Sequence, residues 1–367
     1  MLNKRKITVL LKNSIGVNTS RKLIAFYVDD WGSVRTRDKK AVAYLKSKGV
    51  DIDKNRFSQY DSLASEIDLC DLFDTLRSVK DKNGNSACFT AVMNPCNPNF
   101  EAIRKNRFSA FVSESFTETL KKYGYHHVFD LWKQGMNENI FYPMFHGTEH
   151  VSRSQLIKAL QMGNKPDVWA FECESVGVPG SLNGVMQPYY IERAKDNEAL
   201  AENVRSGLNE FEKIFGFRAR QFRAGGDNIS PELYPILKAF GIEYMDETTY
   251  INRYLGDGKY KRCFAYTGKI NKIGQKLIVR NCVFEPANTR TFDPVMNCIG
   301  MMDIAFRCHK PAIISSHRVD YAGSINENNR KQGLLKLSQL LHEIVKRYPD
   351  VEFVNADQLA DIIYQKQ

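Results

Sequence analysis

Leu23-Ile24-Ala25-Phe26-Tyr27-Val28 is an unbroken apolar run that ends on Asp29-Asp30-Trp31. Six apolar residues with no alternating polar face read as a strand buried on both sides, the kind found in a parallel sheet covered by helices. Runs of this kind return and predict strands over 87–93, 140–145, 168–171, 219–222, 242–245, 276–284, 312–315 and 351–354. Amphipathic stretches between them predict helices over 62–80, 116–134, 152–161, 191–215, 231–240, 294–308, 327–347 and 356–365. Ser152-Arg153-Ser154-Gln155 reads as a capping box, and Ser230-Pro231 as an N-cap followed by proline at the first helical position. Strand–helix alternation places the chain in the α/β class, and seven or eight such units favour a barrel over an open sheet.

Segment 32–139 is less regular. Lys80-Asp81-Lys82-Asn83-Gly84-Asn85 reads as a turn and Asn94-Pro95-Cys96-Asn97-Pro98-Asn99 as a loop. The segment is read as one strand–helix unit carrying insertions, so residues 1–367 form a single domain. No internal repeat and no Pro/Gly/Ser linker divides them.

With 367 residues, 26% charged and 43% hydrophobic, the composition argues against disordered and fibrous classes. There are 52 Lys and Arg against 42 Asp and Glu, a net charge of +10. That balance favours polyanions such as nucleic acid, anionic glycans or anionic membrane surfaces. The charges are read as spread along the chain, with no basic block and no basic aromatic strip. Nucleic acid is therefore not an expected partner. No apolar run approaches a membrane span, and the apolar stretch 7–11 is shorter than a signal-peptide core. The eight cysteines are far apart with no CxxC pair, and are read as reduced core residues. Together these features predict a soluble, unsecreted, cytoplasmic protein.

Five polar clusters fall just past the C-terminal ends of predicted strands, the rim on which active sites form in parallel α/β folds. Asp29-Asp30 is an adjacent carboxylate pair whose mutual repulsion a cation would relieve. His146-Gly147-Thr148-Glu149-His150 spaces two imidazoles to meet at one metal. Arg223-Ala224-Gly225-Gly226-Asp227 offers a guanidinium fork and a glycine turn that lets backbone N–H groups approach a ligand. Asp246-Glu247-Thr248 follows the sixth predicted strand, and Ser316-His317-Arg318-Val319-Asp320 the eighth. Beside Asp320, His317 reads as an oriented acid with a raised pKa. Each cluster also has a purely structural reading: a solvated turn, two histidines starting a helix, a packing arginine, a strand-end histidine. Their assembly on one rim, with complementary chemistry, favours function.

The order of these motifs resembles the polysaccharide deacetylase family, the NodB-homology domain of carbohydrate esterase family 4, over residues 23 to 320. The resemblance implies an irregular (β/α) barrel of about seven parallel strands with inserted loops. It implies a divalent metal, most often zinc, held by Asp30, His146 and His150. Asp29 would act as general base, Arg223 would orient it, His317 would act as general acid and Asp246 would tune that acid. The implied activity removes acetyl groups from N-acetylated, or O-acetylated, sugars or polysaccharides, with water activated by the metal as nucleophile. A backbone N–H near Gly225 would help hold the oxyanion, and Trp31 would stack on a sugar face. The sequence departs from the family at Val28, where Phe is usual, at Ala224-Gly225, where Pro-Tyr or Pro-Pro follows the arginine, and at Glu247-Thr248, where a second Asp and often a Trp are usual. The gap between Asp30 and His146 is longer than the family's, which predicts an insertion shaping the groove.

Two other functions fit the residues. A glycosidase on a related barrel would pair Asp29 or Asp30 with Asp246 or Glu174 across the scissile bond, and would release reducing ends without acetate. A non-catalytic glycan-binding barrel would explain the net charge and the altered third and fourth motifs. Its binding would ignore chelator and His317→Ala. Glu172 and Glu174 either reach the groove or bound a loop.

Overall fold

A computed structural model describes residues 4–288 and 293–364. Among them are β1 (Lys22–Trp31), β2 (Phe89–Met93), β3 (Cys96–Pro98), β4 (Ser113–Ser115), β5 (Phe141–Phe145), β6 (Gln221–Arg223), β7 (Tyr244–Glu247), β8 (Tyr250–Gly256), β9 (Lys259–Phe264), β10 (Lys276–Val279), β11 (Cys282–Val283), β12 (Ala312–His317) and β13 (Val351–Phe353). Nine strands form one sheet in the order β10-β7-β6-β5-β2-β1-β12-β11, with β13 also pairing to β1. Every ladder in it is parallel. The pairs β3–β4 and β8–β9 are separate antiparallel ribbons.

The hydrogen-bonded path is open between its two ends, β10 and β11, which are consecutive in the chain. Arg280 and Asn281 cross that gap. Five ladder steps separate β10 from β1, roughly 24 Å across a flat sheet at ~4.8 Å per strand. Yet Arg280 Nη2 lies 2.6 Å from Asp29 Oδ1 at the end of β1. The sheet is therefore curled into an irregular barrel, with β10 and β11 acting as one broken strand.

The period-2 alternation of β1 divides its side chains between two cores. Leu23, Ala25 and Tyr27 join Val92, Met144, Tyr244, Ile278 and Ile313, drawn from five other strands, together with Leu359 and Tyr364 of the last helix, Ala356–Tyr364. Ile24, Phe26 and Val28 face the larger layer between sheet and helices, with Phe89, Phe141 and Leu337. The barrel interior is packed, so chemistry is confined to its rim.

Several expected elements differ. Residues 168–171 lie in a helix, Lys165–Glu172, because the Asn164 side chain caps the N–H of Asp167 and Pro166 occupies the first turn. A four-residue apolar run cannot by itself distinguish a strand from a buried helical segment. The expected strand 276–284 breaks at Arg280-Asn281. There the Asn281 side chain replaces ladder bonds, accepting from the N–H of Ile313 and donating to the carbonyl of Pro311. The expected helix 116–134 splits into Phe116–Lys122 and Val128–Asn137 around Gly124, whose φ is +77°. The expected helix 356–365 is present over Ala356–Tyr364, and Gln365 lies outside the described residues. Helices Lys4–Asn13 and Lys39–Ser47 and the β8–β9 hairpin were not anticipated. The Ser152 and Ser230 hydroxyls accept the N–H groups of Gln155 and Glu232 as expected of N-caps, although the turn after Ser230 begins as 3₁₀. The eight cysteines are unpaired. No described helix is long and apolar enough to cross a membrane.

Candidate metal centre and catalytic pocket

Adjacent residues on a regular strand point to opposite faces, so Asp29 and Asp30 should diverge. They do not, because β1 carries a bulge. Its register against β2 shifts between Val28 and Trp31, and Asp30 adopts φ +76°. This left-handed conformation is costly for a residue with a Cβ, though Asp tolerates it better than most. Both carboxylates thus line the same rim cavity of about 510 Å³. Trp31 returns to the core. It is 2% exposed and packs edge-on against Phe141 and Trp132. It presents no face to a sugar, which corrects the stacking role expected of it.

His146 follows β5 directly, its N–H bound to the carbonyl of Met93. His146 Nε2 stands 3.6 Å and His150 Nε2 3.0 Å from Asp30 Oδ1. The Nδ1 of His146 meets the backbone carbonyl of Arg223 at 3.0 Å. A ring nitrogen facing a carbonyl oxygen must be the protonated one, so the neutral imidazole turns the lone pair of Nε2 toward a carboxylate. Lone pair against carboxylate is repulsive, and either a proton or a cation between them relieves it. Ligands sharing a tetrahedral ion at ~2.0–2.1 Å stand about 3.3–3.5 Å apart, close to the spacings here. The three side chains form a candidate metal cluster whose ligand atoms all lie within 4.8 Å of one another. The residues therefore fit a divalent ion, and the backbone carbonyl provides the outer support that orients a histidine ligand. Glu149, between the two histidines, turns away to Arg153. Gly225 packs beside the cluster. A Cβ there would stand 2.8 Å from Pro188 Cγ and 3.6 Å from His150 Nε2.

Behind Asp29 lies a buried charge network. Arg280 grips both Asp29 oxygens, at 2.6 and 2.7 Å, and reaches Asp246 Oδ2 from Nε at 2.8 Å and from Nη2 at 2.6 Å. Arg223, expected to orient Asp29, approaches it only to 3.7 Å and bonds Asp227 at 2.5 Å and Asp246 at 3.4 Å. Burial works against the Asp29 carboxylate, but Arg280 and then Arg223 outweigh it and hold its pKa at about 2. Arg280 was missed in the sequence. The available signal was a lone guanidinium inside an apolar strand, which must find carboxylates once buried.

His317 ends β12. Its Nδ1 meets Glu285 Oε1 at 2.6 Å, and its Nε2 points toward Asp29 Oδ2 at 3.8 Å. Burial alone would lower this imidazole. Glu285, with Asp30 and Asp29, reverses the effect and pushes it up to about 10. The expected tuning by Asp246 is not what the geometry shows, because both Asp246 oxygens are taken by arginines. Asp320 is not the ring partner either. It accepts from Arg56 and from the N–H of Ala287, and so braces the turn after His317. Glu285 also bonds Arg56. It lies just past β11, the same strand-end position that marked the other clusters. Glu247 lines the cavity, and burial pushes it up to about 8. Glu172 is bound by Tyr44 and Glu174 by Arg37, and neither lines the cavity.

No family model matches the chain, and no curated protein matches it. Solved structures similar to it over most of its length include polysaccharide deacetylases. One assigned as such, from Pseudomonas aeruginosa PAO1, is 9% identical over 95% of this chain and 93% of that one, with a TM-score of 0.48. Another, from Mycobacterium smegmatis, is 12% identical over 96% and 94%, with a TM-score of 0.45. A 4-alpha-glucanotransferase from Thermococcus litoralis is also similar, 9% identical over 92% of this chain but 40% of that chain, with a TM-score of 0.45. These are distant likenesses, and the chemistry of the site rests on its own geometry.

Proposed function

We propose that the protein is a metal-dependent hydrolase that removes acetyl groups from N-acetylated, or O-acetylated, sugars. The observation that carries this reading is the shared cavity, in which Asp30, His146 and His150 converge beside Asp29, gripped by Arg280, and His317, paired with Glu285. Two imidazoles and one carboxylate suit zinc and leave coordination positions open. When bound, the ion supplies Lewis acidity toward the acyl oxygen and acidifies water. Asp29, held as a carboxylate by Arg280, accepts the proton of the attacking water. The water oxygen first bonds to the acyl carbon; His317 Nε2 then delivers its proton to the amide nitrogen as the C–N bond breaks, leaving acetate and a free amine. Glu285 fixes the His317 ring so that Nε2, not Nδ1, faces the cavity.

The glycosidase pairings expected from the sequence, Asp29 or Asp30 with Asp246 or Glu174, are not assembled. Asp246 is enclosed by two guanidinium groups, and Glu174 does not line the cavity.

The test is acetate release from N-acetylated oligosaccharides by zinc-loaded protein. Wild type releases acetate, and His317→Ala is slower by about 10²–10⁴-fold. Reducing ends appearing without acetate would overturn the reading.

A further inference from the structure

The β8–β9 hairpin is inserted between β7 and β10, directly after the rim residues Asp246 and Glu247. Composition hides what it concentrates. From Tyr250 to Lys276 there are seven Lys and Arg against one Asp, most of the chain's excess positive charge. The expectation that no basic block or basic aromatic strip stands out fails here. Of these seven, only Arg253 forms an ion pair among the described residues, with Glu247. The remainder pair with no carboxylate among the described residues, and a field of one sign attracts polyanions.

The same segment exposes aromatic rings. Antiparallel register sets Tyr250 opposite Phe264 and Asn252 opposite Arg262, all on one face of the ribbon. Tyr250 is 61% and Phe264 40% exposed, far more than large aromatic side chains in a folded chain usually are. Their centroids are 5.4 Å apart, Tyr266 continues the row at 6.0 Å from Phe264, and the Arg262 guanidinium lies 4.9 Å from the Tyr250 ring centre. Tyr250, Phe264 and Tyr266 line a second cavity of about 530 Å³, within the size range of ligand sites. That cavity adjoins the metal cavity, since Lys12 and Thr249 line both. Lys12 forms no ion pair among the described residues.

We propose that the β8–β9 face and its adjoining cavity bind the flanking part of an acidic glycan, with the aromatic row stacking on sugar rings and Lys12, Arg262 and Lys269 meeting its anionic groups, so that the chain runs on into the metal cavity. This rests on the carbohydrate reading of the metal site and adds the charge class of the substrate. Aromatic rings with cations also suit single-stranded nucleic acid. Continuity with a cavity built for acyl hydrolysis favours the glycan.

The experiment measures binding to the zinc-loaded protein, using probes without acetyl groups so that the result is independent of turnover. The probes are an oligogalacturonate, a sulfated oligosaccharide, a neutral glucan of equal length and an oligothymidylate of equal charge. An acidic oligosaccharide binds more tightly than the neutral one, and its affinity falls as salt rises. Lys12→Glu/Arg262→Glu weakens it about tenfold or more, ~1.4 kcal/mol per decade. Tyr250→Ala weakens it without changing the salt slope. Lys269→Glu/Lys272→Glu, in the loop outside the ribbon, gives the same direction should the first pair fail to fold. Equal binding of the neutral glucan, indifference to both charge-reversal pairs, failure of both acidic glycans, or tighter binding of the oligothymidylate would overturn the proposal. Acidic-glycan binding with no acetate ever released would refute the hydrolase reading alone. Acetate release without hairpin-dependent binding would refute this inference alone.

Discussion

His317 and Glu285 form the charge pair on which the proposed acid role depends, and their titration is directly measurable. The imidazole is raised from 6.5 to about 10, so its contribution to stability is complete below pH 6.5 and is lost as pH rises through about 10. Burial pushes Glu285 up, but His317 and Arg56 outweigh it and lower it from 4.5, so its contribution is present above 4.5 and is lost as pH falls through its lowered value. The pair is therefore at full strength from about pH 4.5 to 6.5 and fades toward 10. In metal-free protein, the His317 NMR resonances should remain those of imidazolium through neutral pH, and Glu285→Gln should move the transition back toward 6.5. A wild-type midpoint near 6.5 would remove the acid role. Asp29, Asp30, His146, His150 and His317 were legible in the sequence because each carries its chemistry at a strand end. Arg280 and Glu285 were not. Arg280 and Asp29 are 251 positions apart, and only the curl of the sheet makes them neighbours.

At the scale of elements, small departures from regularity build the site. A bulge turns Asp30 beside Asp29, and the break at Arg280-Asn281 aims a guanidinium inward. The apolar runs that predict strands record neither, since hydrophobic periodicity reports burial and not interruptions of the ladder. The helix Glu327–Arg347 illustrates support from a distance. A Cβ on Gly333 would stand 1.7 Å from the carbonyl oxygen of Asp320, in the turn Arg318–Asp320 that follows His317. Gly333→Ala must push helix and turn apart. It should cost about 1–3 kcal/mol in urea unfolding, the usual range for overpacking a tight contact. Unchanged stability would show that the contact has slack. The hairpin β8–β9 escaped the sequence reading because its residues do not follow the strand–helix alternation of the remainder.

For the whole molecule, the α/β class and the barrel followed from repeated apolar runs, because a strand buried on both faces has few other homes. The candidate metal cluster is a property of that sheet. Asp30 comes from β1, while His146 and His150 follow β5, with β2 between these strands in the sheet. No local segment can form the cluster alone. The most direct test of the account is the zinc content of purified protein after exhaustive dialysis, measured beside His150→Ala under the same conditions. The account predicts one tightly held ion per chain in wild type and none in the variant. A wild type that holds no metal, or a variant that keeps it stoichiometrically, would contradict it.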